Sequence, residues 1–301
     1  MGFDVQGVKF LLSAHRSGVC FAKTATMGRQ EMFIDPISLQ RFLRCCGMAK
    51  SEAEVRRILA EADGFAEPLL KLLGAEHIGS VDASSYDGAS VVHDMNLPIP
   101  DSLRSAFSVV IDAGTLEHIF NFPTAIKNCM EMVEEGGHLL LMTPANNFMG
   151  HGFYQFSPEL FFRVCSEENG FEVGKIIVCE VDPDAQWYEV VDPVRARRRV
   201  ELVTGRPAYL LIQARKARSV PILTVAPQQS DYTVLWQERV RRSDRAESWG
   251  RPPFVRLLRR MARHLRAAYR MAEPAALAAR RLRPDREVFT EVSWLPKDAL
   301  P

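Results

Sequence analysis

The sequence predicts a Rossmann-like α/β fold, a mostly parallel sheet with helices on both faces, followed by a helical C-terminal extension. Three observations predict it. Between residues 76 and 215, short apolar runs alternate with segments of helical spacing. One of those runs, 138–143, is apolar almost throughout, as a strand buried on both faces is. Beyond it, 254–271 places Phe254, Leu257, Leu258, Met261, Leu265 and Ala268 on one helical face and six arginines on the other.

The elements follow in order. Residues 19–27 are short, apolar and β-prone, and stop at Gly28. Segments 39–46 and 51–62 carry helical spacing, the second opened by a Ser51–Glu54 capping box. Strands are predicted at 77–82, 89–94, 107–112 and 138–143. An amphipathic helix at 122–134 is ended by Gly136-Gly137. A helix at 158–166 and strands at 175–181 and 207–214 complete the pattern. Residues 216–252, with Pro, Gln, Ser and Gly clusters, predict a linker with one short helix near Trp236. The expected organisation is one domain over 1–215, with a helical insertion at about 36–75, and an extension over 216–301.

The net charge of +1 averages unlike parts. Residues 1–194 hold 14 basic and 27 acidic residues, whereas 195–286 hold 23 basic and 7 acidic. An acidic body thus carries a basic tail. No run approaches the roughly 18 apolar residues of a spanning helix, and no secretory pattern opens the chain. The six cysteines are scattered without a CxxC. Reduced thiols in a cytoplasm are therefore expected, and a zinc site is not.

In open α/β sheets, ligands bind outside the carboxyl ends of the strands. The residues ending the apolar runs are Gly28, Asp82, Asp94, Asp112 and Thr143-Pro144. Strand-end carboxylates suit hydroxyl and amino donors, such as a ribose and an adenine amino group, better than bare phosphates. No GxxxxGK[ST] loop is present. Asp residues at these positions also cap turns and helices, and for any one of them that role is as good a reading.

Four segments carry a family resemblance. They are Ser80-Val81-Asp82-Ala83-Ser84; Val92-His93-Asp94-Met95-Asn96 with Leu97-Pro98-Ile99-Pro100; Phe107 to Ile119, which includes Asp112-Ala113-Gly114-Thr115-Leu116-Glu117-His118; and Val133 to Pro144 with its Gly-Gly turn. In order and spacing they resemble the second to fifth strands of class I S-adenosylmethionine (SAM)-dependent methyltransferases. The resemblance implies SAM as cofactor. Asp82 would accept hydrogen bonds from the ribose hydroxyls, and Asp94 would take the adenine amino group. Met95 would offer its N–H and an apolar edge to the ring, and Asp112 and Ala113 would lie beside the methionine part. The family's glycine-rich loop is absent. Thr26-Met27-Gly28-Arg29-Gln30 stands in its place, so Gly28 would give the close approach and Arg29 or Gln30 would touch the amino-acid end.

On the acceptor side, 150–158 combine two glycines, three aromatics, a His and a Gln. Tyr154, Gln155 and Phe156, with Glu117, are the expected acceptor contacts, unless the aromatics pack on the core. His118 and His151 are the candidate bases for an acceptor hydroxyl. The acids that hold a metal in some quinone O-methyltransferases of this fold are incomplete here, because Gly114 stands three residues before Glu117, and no metal is expected.

The expected function is SAM-dependent methyl transfer, to oxygen, on a saccharide or other polar metabolite, lipid-linked ones included. The alternative is a methyltransferase-like binding or scaffold protein without the cofactor site. Expected partners are a small-molecule or glycan acceptor, an anionic membrane surface for 254–271 (the alternative being docking of that helix on the protein), and a second copy of the chain; nucleic acid is not expected. The expected location is the cytoplasm, including the inner membrane surface.

Overall fold

Asp4 caps the first helix. Its carboxylate accepts from the Gly7 N–H at 3.0 Å, and helix α1 runs Val5–Arg16, just after a two-residue strand β1 (Gly2–Phe3). The helix ends at Ser17-Gly18, where Gly18 takes a positive φ. In this computed structural model, residues 2–230, 232 and 285–295 are described. The chain continues through β2 (Lys23–Met27), β3 (Glu31–Met32), α2 (Pro36–Cys45), α3 (Glu52–Ala60), α4 (Glu67–Leu72), β4 (His77–Asp82), β5 (Val91–Val92) and β6 (Phe107–Ala113). It then forms α5 (Phe122–Met132), β7 (Val133–Asn146), α6 (Pro158–Val164), β8 (Phe171–Glu180), β9 (Trp187–Val190), α7 (Pro193–Ala196), β10 (Ala208–Lys216) and β11 (Phe289–Val292).

Nine strands form one sheet in the order β11-β9-β8-β10-β7-β6-β2-β4-β5, and β1 pairs with β3 in a separate two-stranded piece. Strands β5, β4, β2, β6 and β7 are mutually parallel, and β10 is antiparallel to both neighbours. Following the pairings outward, only β9 and β10 oppose the common direction. The sheet is therefore mostly parallel, as the alternating pattern predicts.

Helices cover both faces. On one, Val109, Ile111 and Leu140 pack with Leu11 and Leu12 of α1, Leu39 and Phe42 of α2, and Leu69 of α4. On the other, Ala25, Val110, Leu139 and Leu141 pack with Ala125, Ile126 and Cys129 of α5 and Phe161 of α6. Alternate residues of the central strands serve opposite faces, as the pleat requires.

The observed elements depart from the expected ones at identifiable places. Strand β2 starts at Lys23 rather than 19, and the strand at 89–94 shrinks to Val91–Val92. Gly136-Gly137 does not end α5. The helix stops at Met132 and the glycines lie inside β7, where a Cβ on Gly137 would sit 2.7 Å from the Ser108 carbonyl oxygen. The predicted helices at 254–271 and near Trp236 lie outside the described residues. Strand β11 belongs to the main sheet although it follows the 216–252 stretch. Among the described residues, no helix is long and apolar enough to cross a membrane.

Candidate functional site at the sheet switch point

From β2 the chain builds outward through β4 and β5, then returns to the other side of β2 to lay down β6 and β7. The reversal lies between β2 and β6, and the crevice beyond their carboxyl ends is where such sheets bind ligands. Thr115 bridges it, its hydroxyl donating to the Met27 carbonyl oxygen at 2.8 Å. Gly28 turns the chain with φ +68°; a Cβ there would meet Thr115 Oγ1 at 3.4 Å and Asp82 Oδ2 at 3.5 Å. Gly28 and Asp82 are thus side by side at the ends of the neighbouring strands β2 and β4.

Four segments predicted from sequence as strands of one family are β4, β5, β6 and β7, arranged around this point in that chain order. The fold is Rossmann-like α/β, with its switch point between β2 and β6. No protein-family model and no curated protein matches the chain. Among solved structures it is similar to a SAM-dependent methyltransferase from Thermotoga maritima, at 14% identity and a TM-score of 0.34 over 69% of this chain and 88% of that one. It is similar to the Burkholderia thailandensis 1,6-didemethyltoxoflavin-N1-methyltransferase with bound S-adenosylhomocysteine, at 13% identity and a TM-score of 0.35 over 71% and 78%. It is also similar to a branched-chain polyamine synthase from Thermus thermophilus, at 12% identity and a TM-score of 0.35 over 74% and 59%. The fold assignment rests on the strand order and the switch point.

Asp82 stands at the end of β4, with Oδ1 accepting from the Ser84 N–H at 3.1 Å. Asp94 is exposed in the turn after β5, where the Asn96 backbone and side-chain N–H groups hold its carboxyl below the usual range. Met95 is buried in the core, its carbonyl oxygen held by Asn128 Nδ2 at 3.2 Å. Asp112 and Ala113, at the end of β6, are both buried. Asp112 Oδ1 accepts from the Thr115 N–H at 3.1 Å, while Oδ2 is buried without a partner. Burial first, and the Glu117 carboxylate second, push the Asp112 carboxyl well above its ordinary value.

Arg29 and Gln30, expected at the amino-acid end, have other partners. The Arg29 guanidinium donates to Glu67 at 2.6 Å and to the Asp87 carbonyl oxygen at 3.1 Å, and lies 4.0 Å over the Phe65 ring. Gln30 is buried, its amide donating to the Met27 carbonyl oxygen. The Gly28 N–H donates to the Val81 carbonyl oxygen at 2.7 Å and so is spent on the protein.

Beside the crevice lies a cavity of about 210 Å³, lined in part by Asp4, Phe33, Glu117, Phe148, His151 and Tyr209. Sequence reasoning reached Glu117 and His151 here, as well as Ala113, which it expected beside the cofactor and which also lines the cavity. It missed Asp4, although an Asp ahead of an apolar helix is a capping signal. Phe33, Phe148 and Tyr209 come from three distant parts of the chain and carry no local signal. Phe148 stacks on Tyr209 with ring centres 5.3 Å apart. Burial raises the carboxyl of Asp4 and the phenol of Tyr209.

The aromatic loop is built inward. Tyr154 donates its hydroxyl to the Phe120 carbonyl oxygen at 2.6 Å and stacks near Phe156, which is buried against Phe122. Gln155 accepts from the Phe148 N–H at 2.9 Å. Tyr154, Gln155 and Phe156 thus shape the loop, and none of the three lines the cavity. His118 and His151 meet edge to face with ring centres 5.0 Å apart. Glu117 lies beneath them, 1% exposed, with Oε1 3.4 Å from His151 Nε2 and Oε2 buried without a partner. Burial raises the Glu117 carboxyl to about 7 and lowers the His118 imidazole.

Proposed function

We propose that this chain is a SAM-dependent methyltransferase acting on an oxygen of a small polar acceptor, a saccharide or a lipid-linked metabolite among them. The observation that carries the reading is the set of carboxylates on both sides of β2: Asp82 at the end of β4, Asp94 in the turn after β5, and the buried Asp112 of β6 with its unpaired Oδ2. That oxygen is an unfilled acceptor, and an N–H donor at the amino-acid end of SAM would fill it. Asp82 and Asp94, more exposed, suit the ribose hydroxyls and the adenine amino group.

SAM would supply the activated methyl group. The chain would supply alignment, which is most of what an in-line displacement needs. The cavity between Phe33 and the Phe148–Tyr209 pair admits about one ring, below the ~300 Å³ of ordinary ligand pockets, and offers it aromatic faces and the Asp4 and Glu117 carboxyls. In an oxygen transfer the acceptor oxygen bonds to the methyl carbon, the carbon–sulfur bond breaks with its pair left on sulfur, and the hydroxyl proton must leave. His151, which lines the cavity, and His118, whose ring meets it, would be the bases that take that proton.

A binding or scaffold role is favoured by two contacts, the Gly28 N–H spent on Val81 and the Arg29 charge answered by Glu67. Calorimetric titration of SAM and of S-adenosylhomocysteine separates the two readings, with Asp82→Ala as control. Saturable heat that Asp82→Ala weakens by about tenfold or more, the worth of a lost hydrogen-bonded charge, supports the enzyme. No heat and no thermal stabilisation at millimolar SAM overturns it.

A further inference from the structure

We propose that Glu117, His118 and His151 form a binding site for one divalent transition-metal ion. Each offers one ligand atom, and the three atoms lie within 4.8 Å of one another. Two imidazoles with one carboxylate is a donor set that first-row transition ions accept with positions left open, and that magnesium, which prefers oxygen and water, does not select. This site does not depend on SAM binding and goes beyond the methyltransferase reading.

Three features show a built site. First, Glu117 brings a buried oxygen, Oε2, with no hydrogen-bond partner. A buried unpaired carboxylate oxygen costs stability unless something answers it. Second, the loop bearing His151 is pinned to the turn bearing Glu117. The N–H groups of Phe153 and Tyr154 both donate to the Glu117 carbonyl oxygen, at 2.7 and 3.3 Å. Third, Gly152 has φ +74°, and a Cβ there would lie 2.8 Å from that same oxygen. Only glycine lets the loop come this close, and the closeness sets His151 Nε2 3.4 Å from Glu117 Oε1. Two ligands on one ion at ~2.1 Å each lie about 3–3.4 Å apart, so modest side-chain rotation closes the set. His118 and His151 are exposed, which leaves an entry path, and Glu117 and His151 also line the cavity. An ion there takes the lone pairs that a general base would use. The base role given to the two histidines above therefore belongs to the metal-free chain alone.

The test uses the full chain, stripped with chelator and free of SAM. Because Cys20 is exposed and Cys45 and Cys46 are partly so, a background with all three changed to Ser is run in parallel. Co²⁺ titration followed by visible absorption, and calorimetry with Zn²⁺ and Mg²⁺, are the readouts. The expected result is one equivalent of Co²⁺ or Zn²⁺ bound in the micromolar range or tighter, no competition by Mg²⁺, and no thiolate charge-transfer band. His118→Ala and His151→Ala should each weaken binding by about 100-fold or more, since even outer-shell changes cost 10–100-fold. Their melting curves without metal should match wild type. Gly152→Ala should weaken binding while keeping all three ligands. His93→Ala, a histidine elsewhere, should change nothing. The proposal fails if the wild type takes up neither ion, if the His118→Ala/His151→Ala double variant binds as tightly, or if binding disappears in the Cys→Ser background.

Discussion

Buried carboxyl groups dominate the residue scale. Asp4 caps α1 yet lies beside the cavity, and burial raises its pKa against the opposing effect of the Gly7 N–H. A carboxyl raised on folding opposes stability once ionised. The penalty is absent below the unfolded value near 3.9 and grows as pH climbs through the folded value. Asp4→Asn keeps an N-cap and removes the ionisation. Its melting temperature relative to wild type should therefore rise from pH 4 to pH 7, and a difference that stays flat or falls would refute the assignment. Asp112→Asn should raise thermal stability at neutral pH, because one of two adjacent buried acids is gone, and should weaken SAM by tenfold or more. That combination is the signature of a residue kept for binding at the expense of stability. An Asp112→Asn protein with unchanged SAM affinity would remove Asp112 from the cofactor site.

At the scale of elements, local chemistry explains what could be read and what could not. The Ser51–Glu54 capping box forms as the sequence predicts. The Ser51 hydroxyl accepts from the Glu54 N–H, and the Glu54 carboxylate accepts from the Ser51 N–H at 2.9 Å. Ser51→Ala should lower stability by about 1 kcal/mol, read as a shift in the chemical-denaturation midpoint. Helix α1 escaped the sequence reading because its residues Phe10-Leu11-Leu12 form a dense apolar run rather than a stripe, being buried almost all round. Strand β5 is shorter than predicted because its hydrogen bonding is partly side-chain work. Ser90 Oγ accepts from the Ser80 N–H at 2.8 Å, and Ser80 Oγ accepts from the Ser90 N–H at 3.1 Å. The loop at 150–158 has both glycines and aromatics, and which way its rings turn depends on Phe120, Phe122 and Phe148, outside it.

For the whole molecule, the far end of the chain matters more than the linker composition implies. Strand β11 caps the edge of β9, with Phe289 and Leu295 buried, and Trp294 meets Phe42 of α2 edge to face at 5.1 Å. The basic run before β10 also finds its partners here, Arg198 bonding Asp285 at 2.7 Å and Glu287 at 3.0 Å. Cutting the chain after Lys216 should therefore destabilise the domain by several kcal/mol, since each large side chain uncovered costs about 1.5–3 kcal/mol. Thermal melting of the truncated and full chains checks it, and equal melting temperatures would show the edge strand to be dispensable. A membrane role for 254–271 is better tested by arginine-to-glutamine changes there and flotation on anionic vesicles. That design leaves β11 in place, and flotation equal to wild type would count against the membrane.

By itself the sequence determined the sheet class, the carboxylates at strand ends and the Glu-His turn. Each depends on local patterning, an apolar run with a polar residue at its end. The tertiary structure alone decided which strands are neighbours at the switch point, and that β11 completes an edge begun about a hundred residues earlier. It also brings together the three side chains of the proposed metal site. From the sequence, Gly114 in place of an acid left the Glu-His pair incomplete. Folding brings His151 from a loop 34 residues beyond Glu117 to complete a different donor set. Sequence spacing carries no record of that approach, because the contact is fixed by a glycine packed against a backbone carbonyl and not by any repeat along the chain.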